Sequence, residues 1–168
     1  MKVQATYKCK TVEIDIPDEK LEELVKEQKK TGWEKPVWGQ TYWFIDELGE
    51  VEGKDWKDDE LDEKRYACGN CFTSKELAEN IARYQSLDLR IRRRIAEICE
   101  PVDWGNVHKL KWRIYYGIGS RRLEISSNDD FRFVAWYCDT KEHAEQIIEE
   151  FKDELTWYFT EFKDRMDG

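Results

Sequence analysis

The sequence predicts an α+β fold in which antiparallel sheets pack against helices. The 168 residues are 40% hydrophobic and include eight Trp, eight Tyr and seven Phe, which is enough apolar surface for a core. Several short segments alternate apolar and polar residues with the period of a β-strand. A similar phrase, a strand end running into a helix start, occurs at residues 68–81 and again at 137–147. The repetition predicts an N-terminal strand and helix followed by two β-β-β-α units, each with a sheet face under its helix.

Residues 1–40 are predicted to form an N-terminal β/α segment and a connector. Apolar residues alternate over 3–9 and, after a change of phase, over 12–16, which predicts one bent strand or a tight hairpin. Pro17 and Asp18 then begin a helix that ends at Thr31 and Gly32.

Residues 41–100 are predicted to form the first unit. Aromatic and β-branched residues predict a strand at 41–46, with a return strand from 50 and a third short strand at 65–68. Thr73 and Glu76 have the spacing of a capping box. The following helix runs to residue 100 on a three-four apolar spacing, with a break expected near residues 86–88 because Asp88 interrupts the stripe.

Residues 107–165 are predicted to form the second unit, either as a separate module or within one compact domain. Strands are expected at 112–116, 123–125 and 131–137. Asp139 and Glu142 repeat the capping positions, and one apolar face then continues along a single helix to Phe162.

Charge is distributed unevenly along the chain. Of the net charge of −9, the acidic segment (residues 47–63) accounts for −7, with nine carboxylates and two lysines. A negative chain repels nucleic acid, so we expect no direct nucleic-acid binding. The basic exception is a cluster at Arg90, Arg92, Arg93 and Arg94, which we expect to pair with Glu97, Glu100 and the acidic segment.

The sequence favours a cytoplasmic, non-enzymatic protein without a cofactor. No apolar run approaches the roughly 20 residues that span a bilayer, and residues 1–9 lack the features of a signal peptide. Five cysteines, an odd number, argue against a disulfide framework. Cys68 and Cys71 form a C-x-x-C before the helix start, without the second pair of a zinc site, and are interpreted as buried apolar residues. A metal-stabilised structural module centred on them is a third alternative for the function.

Two groups of residues are candidates for binding. The acidic segment is either a solvated loop or the contact with a basic surface on a host protein, in which Trp56 is the aromatic anchor. The candidate partner-binding residues are Asp55, Trp56, Asp58, Asp59, Glu60 and Asp62. The alternative function is sequestering a nucleotide or nucleotide signal, with arginines on the phosphate and aromatic rings on the base. Its candidate residues are Arg121, Arg122, Arg132, Tyr115 and Trp136.

One set of phrases along the chain has a counterpart in a known family. The phrases are 42–46 (YWFID), Gly49, Trp56, 65–66 (RY), 69–70 (GN), 72–73 (FT), and Glu76 with 78–79 (AE). In these residues the chain resembles a family of small, uncharacterised proteins of bacteriophages and prophages of Firmicutes, over roughly residues 10–160. The chain departs from the family pattern by placing cysteines on both sides of Gly69 and Asn70.

The resemblance implies a viral or mobile-element origin and supplies no catalytic residues. Together with the charge pattern, it predicts an accessory protein that inhibits a host defence or regulatory protein by non-catalytic binding in the bacterial cytoplasm. No sequence feature selects an oligomeric state.

Overall fold

A computed structural model of the chain describes residues 2–7, 10–15, 31–128 and 136–162, the first two ranges by their backbone pairing. It confirms the α+β class. The strands are β1 (Lys2–Tyr7), β2 (Lys10–Asp15), β3 (Thr41–Ile45), β4 (Val51–Asp55), β5 (Lys111–Gly117), β6 (Arg122–Asn128) and β7 (Tyr137–Cys138). The helices are α1 (Glu60–Ala67), α2 (Lys75–Ile98), α3 (Lys141–Glu150) and α4 (Lys152–Thr160).

The N-terminal strands form an antiparallel hairpin. Val3 pairs with Ile14 and Ala5 with Val12, so the change of phase in the apolar pattern marks the turn between two strands. The hairpin alternative is therefore confirmed over the bent strand. The helix predicted from Pro17 lies outside the described residues.

The first unit contains a helix where its third strand was predicted. β3 and β4 form the expected antiparallel hairpin, but residues 65–68 belong to the end of α1 and the turn after it. The Asp59 carboxylate caps α1 by accepting from the Asp62 amide at 2.8 Å, and acidic residues fill the first turn, where the helix dipole favours them. The unit is thus β-β-α-α. The segment between its two helices is joined to β3 by an isolated bridge between Phe72 and Trp43.

Two small apolar clusters hold this unit together. Tyr42, Phe44, Trp56 and Cys71 form one cluster. Phe72, Leu77 and Ala78 form the other, which fixes the first turns of α2 against the hairpin. We call residues 41–72, which comprise β3, β4 and α1, the acidic module.

Helix α2 is continuous over 24 residues, so the break predicted near residues 86–88 is wrong. Asp88 is tolerated because its carboxylate has two partners. It accepts from the Trp136 indole at 2.9 Å and from the Arg92 guanidinium at 2.7 Å. The helix belongs to both halves of the protein, since Leu77 lies in an apolar cluster of the first unit and Leu87 in the core of the second unit.

The second unit packs a three-stranded sheet against three helices. The strand order is β6-β5-β7, and β5 pairs antiparallel with both neighbours. Of the strand predicted at 131–137, residues 131–135 lie outside the described residues. The final helix was predicted as one element but is divided at Phe151 into α3 and α4. The core of this unit comprises Leu87, Ile91, Ile114, Trp136, Cys138, Ala144, Ile147 and Leu155.

The helix caps lie one residue later than predicted in both copies of the repeated phrase. Ser74 accepts from the Leu77 amide at 3.3 Å, and Thr140 accepts from the His143 amide at 3.1 Å. Thr73 and Asp139, the predicted caps, therefore have other partners. The Thr73 hydroxyl donates to Glu34 at 2.7 Å, and the Asp139 carboxylate faces His143.

Candidate functional site

The acidic segment is a folded element with a buried polar centre. Asp62 is 0% exposed, and its carboxylate accepts from the Tyr42 hydroxyl at 2.7 Å and the Lys57 amide at 2.8 Å. The Lys54 ammonium lies 2.9 Å from the same carboxylate. Arg65 completes the network by donating to the Tyr42 oxygen at 2.9 Å. Asp62 is thus a structural residue, which corrects its assignment as a partner contact.

The electrostatics of this centre favour ionised Asp62. Burial raises the pKa of the carboxyl, but the hydrogen bonds from Lys54, the Lys57 amide and Tyr42 outweigh that cost and hold the pKa far below its usual range. Hydrogen bonds to Asp62 and to Asp59 raise the pKa of the Lys54 ammonium. Both groups are therefore charged at neutral pH, which explains how a carboxylate is accommodated in this core.

Trp56 is also part of the core, which corrects its assignment as an exposed anchor. Its side chain is 0% exposed and packs edge-on against Tyr42, with ring centroids 5.6 Å apart. The indole nitrogen donates to Asp58. Trp56, which has carboxylates on both sides in the sequence, is therefore a core residue of the acidic segment.

A different tryptophan is presented beside the acidic segment. Trp38 is 70% exposed, in a turn whose backbone is held to Trp56. The Gly39 amide donates to the Trp56 carbonyl, and the Trp56 amide donates to the Gln40 carbonyl, both at 2.9 Å. Sequence alone indicates this position only weakly, through the Pro36 and Gly39 that make the connector a turn.

The remaining predicted partner-binding residues are exposed. Asp55 accepts from Thr41 at 2.9 Å, Asp59 caps α1, and Glu60 pairs with Lys64 along that helix. Asp58 has a φ of 53°, a conformation that Asp adopts more readily than most residues. Around them the surface also exposes two apolar side chains of α1, Leu61 and Tyr66.

The structure does not bring the predicted nucleotide-binding residues into one site. Trp136 is buried and donates to Asp88, and the Tyr115 hydroxyl donates to Glu124 at 2.8 Å. Arg122 pairs with the same Glu124 at 3.1 Å, while Arg121 is exposed in the preceding turn. Arg132 lies outside the described residues.

Three of the four arginines of the basic cluster on α2 pair with carboxylates. Arg94 binds Glu150 at 2.7 Å and Glu97 at 3.3 Å, the second of which was predicted. Arg90 pairs with Glu154, and Arg92 with Asp88. For Arg90 and Arg94, partners on the last two helices take the place of the predicted acidic segment.

An open groove beside Arg122 and Lys141 is lined by three carboxylates, Glu124, Glu145 and Glu149, which opposes phosphate binding.

Cys68 and Cys71 do not form a shared site in the part of the chain that the structure describes. Cys68 is exposed, and its thiol donates to the Arg65 carbonyl. Cys71 is buried among Tyr42, Phe44 and Trp56, and burial raises the pKa of its thiol to about 11. The interpretation as a buried apolar residue is therefore confirmed for Cys71 and wrong for Cys68.

A third group, which no sequence pattern singles out, is assembled by the fold. Cys99 ends α2, Asp139 follows β7, and His143 lies in the first turn of α3. One ligand atom from each of these residues, which we call the Cys–Asp–His cluster, lies within 4.8 Å of the others. Cys99 is forty residues from Asp139, and residues so far apart give no local sequence signal.

Hydrogen bonds hold the cluster together. The His143 Nδ1 lies 2.6 Å from Asp139, which also accepts from the Glu100 amide at 3.2 Å. Burial raises the pKa of Asp139, but its bonds with His143, the Glu100 amide and the Cys99 thiol leave the pKa lowered. Burial raises the pKa of Cys99, whose thiol also contacts that of Cys138.

Comparison of the chain with protein-family models, with curated proteins and with solved structures gives no match. Among the described residues, no helix has the length and apolar character needed to cross a membrane.

Proposed function

We propose that the protein acts by non-catalytic binding, with the acidic module and Trp38 docking on a basic surface of a protein partner. The observation that carries this proposal is the exposed Trp38, held by backbone hydrogen bonds against a segment of charge −7. A tryptophan that is rigidly placed yet exposed loses a large unfavourable hydrated surface when a partner covers it, and Trp is enriched among hot-spot residues.

The carboxylates supply orientation and association rate in this proposal. Exposed ion pairs such as Glu60 with Lys64 and Lys35 with Glu63 are solvated, so their carboxylates remain available to a partner's cations. A negative surface accelerates encounter with a positive one and disfavours negative partners. The rigid β-hairpin and capped helix beneath these side chains limit the entropy lost on binding.

The class of partner follows from the resemblance to phage proteins. We propose that the target is a host defence or regulatory protein and that binding blocks it stoichiometrically. The nucleotide-sequestering alternative has less support. Arg122 and, on α2, Arg94 are paired with carboxylates, and Trp136 is buried.

The test is affinity capture from a lysate of a Firmicutes host, with the recovered proteins quantified by mass spectrometry. Two variants remove the proposed contacts: Trp38→Ala, and the triple variant Glu52→Gln, Asp55→Asn and Glu60→Gln. Asp59 and Asp62 are left unchanged because they cap α1 and fill the core.

Matched controls change the same properties elsewhere. Ile118→Ala removes an exposed apolar side chain from the hairpin of the second unit. The triple variant Glu149→Gln, Asp153→Asn and Glu161→Gln makes the same change in net charge on α3, α4 and the residue after α4. The proposal expects a protein that both test variants lose and both controls retain. Recovery of the same proteins by all five forms would overturn it.

A further inference from the structure

We propose that the Cys–Asp–His cluster is a binding site for a transition-metal ion of the zinc class. Cys99, Asp139 and His143 supply one thiol, one carboxylate and one imidazole, the three donor types found in protein zinc sites. Thiolate and imidazole donors disfavour Mg²⁺ and Ca²⁺, which take oxygen ligands. This inference is independent of the proposed function and concerns the opposite half of the chain.

The geometry needs little adjustment to close on a cation. Ligands placed about 2.0–2.3 Å from a tetrahedral ion lie roughly 3.3–3.8 Å from one another. The three donor atoms already lie within 4.8 Å of one another, and the Asp139 and His143 atoms lie 2.6 Å apart. Changes of about 1 Å in the separations of the donor atoms therefore bring them to tetrahedral values.

Hydrogen bonds to Asp139 bring the donor groups of the cluster together. Asp139 accepts from Cys99 and faces the His143 Nδ1, so a shared acceptor draws the other two donors inward. A bound cation takes the place of the protons in these hydrogen bonds, because metal binding requires thiolate and neutral imidazole and releases protons to solvent. The negative charge of the Asp139 carboxylate, which attracts the donors in these hydrogen bonds, then attracts the cation.

The backbone around the cluster is fixed by hydrogen bonds of its own. The Cys99 amide donates to Ile95 at 2.8 Å at the end of α2, and the His143 amide donates to the Thr140 cap. The Glu100 amide donates to Asp139 and orients its carboxylate, as outer-shell groups do in metal sites. Three segments of the chain are thereby held in place before a metal arrives.

Access for an ion is also present. The His143 side chain is 31% exposed while that of Asp139 is 9% exposed, so one ligand faces solvent and another is desolvated. Three protein ligands leave a fourth tetrahedral position for water. The bound ion would join the C-terminal end of α2 to the N-terminal end of α3.

The experiment is metal titration of the full chain after removal of metals by a chelator. Bound Zn²⁺ is counted by elemental analysis, and Co²⁺ is used as a spectroscopic probe of thiolate and tetrahedral coordination. We expect one equivalent of Zn²⁺, a thiolate-to-Co²⁺ charge-transfer band, and a rise in Tm of about 5–10 °C at a Zn²⁺ concentration of roughly 100 times Kd.

Site variants and matched controls make the assignment specific. Cys99→Ser, Asp139→Asn and His143→Ala are expected to weaken Zn²⁺ binding at least tenfold, as loss of a ligand does. Cys68→Ser and His108→Ala, which change an exposed cysteine and the exposed second histidine, are expected to bind as the unchanged protein does. Circular dichroism identifies the variants that fold. If Cys99→Ser does not fold, Asp139→Asn serves as the test variant, because it keeps the shape of the side chain.

Two results overturn the proposal. One is binding of less than a tenth of an equivalent of either ion by the unchanged protein. The other is Zn²⁺ binding of equal strength by the folded site variants, which would place the ion elsewhere.

Discussion

Replacing Asp62 by Ala is predicted to be the most damaging single change in the acidic module. The substitution removes a fully buried carboxylate that accepts from the Tyr42 hydroxyl and the Lys57 amide. It also removes the buried partner of the Lys54 ammonium, whose side chain is 31% exposed. The backbone of α1 keeps its cap, because Asp59 is unchanged and accepts from the amide of residue 62.

The expected loss follows from counting the groups left without an acceptor. The Tyr42 hydroxyl hydrogen and the Lys57 amide are each left unsatisfied, at a cost of about 1–3 kcal/mol apiece. Lys54 contributes little further loss, since it retains Asp59 at 3.0 Å and partial contact with water. The sum is about 4 kcal/mol, within the range for breaking a buried pair. For a chain of this length it corresponds to a fall in Tm of roughly 8–16 °C.

Urea denaturation followed by tryptophan fluorescence measures this loss. Asp62→Asn keeps an acceptor and the side-chain volume, and is predicted to lose less than Asp62→Ala. Asp55→Ala is the control, because Asp55 is exposed and accepts from the exposed Thr41, and a change below about 0.5 kcal/mol is expected. A loss below 1 kcal/mol for Asp62→Ala would refute the assignment of this carboxylate as the centre of the module.

Three further predictions concern pH, packing and thiol reactivity. Burial raises the pKa of Glu34, but hydrogen bonds from Thr73, from the Thr31 amide and hydroxyl, and from its own backbone amide lower that pKa from 4.5 to about 2. The stabilisation from Glu34 is therefore complete above pH 4.5 and is lost as pH falls toward 2, and Glu34→Gln should flatten that part of the stability–pH curve. Gly53→Ala places a methyl group 2.9 Å from the Trp43 ring and should cost about 1–3 kcal/mol in chemical denaturation. In kinetic labelling with a thiol reagent at neutral pH, exposed Cys68 should react at least about 100-fold faster than Cys71, which is buried with a raised pKa.

Each of these has a control and a contradicting result. An unchanged acid limb in Glu34→Gln would exclude the role given to Glu34. Gly119→Ala, whose added methyl group meets nothing within 4 Å, should leave stability nearly unchanged, and equal losses in the two glycine variants would contradict the packing explanation. Similar labelling rates for the two cysteines would show that Cys71 is accessible.

The parts of the fold that were predictable depend on local patterns. The hairpin of β3 and β4 follows from alternating aromatic and β-branched residues, and helix α2 from its three-four apolar spacing. Helix α1 was missed because five of its eight residues are charged and the other three, Leu61, Tyr66 and Ala67, do not form an apolar stripe. The Asp59 cap and the tertiary contacts of Asp62 stabilise α1, and neither produces a periodic pattern in the sequence.

The candidate surfaces were less predictable because they depend on which side chains the fold buries. Trp56 and Trp38 are both tryptophans beside charged or turn residues, yet one is 0% and the other 70% exposed. The distinction arises from a tertiary contact: Tyr42 packs against the Trp56 ring, and Asp62 holds the Tyr42 hydroxyl. The Cys–Asp–His cluster likewise joins residues that have no common sequence pattern.

The most direct test of the proposed function is the comparison of protein capture by the unchanged chain and by Trp38→Ala. A hot-spot tryptophan contributes at least about 2 kcal/mol, so the proposal predicts a partner whose affinity falls roughly 30-fold or more in Trp38→Ala. The same partner should bind Ile118→Ala normally and should dissociate more readily as salt is raised. A set of captured proteins that does not change when Trp38 is replaced would contradict the proposal.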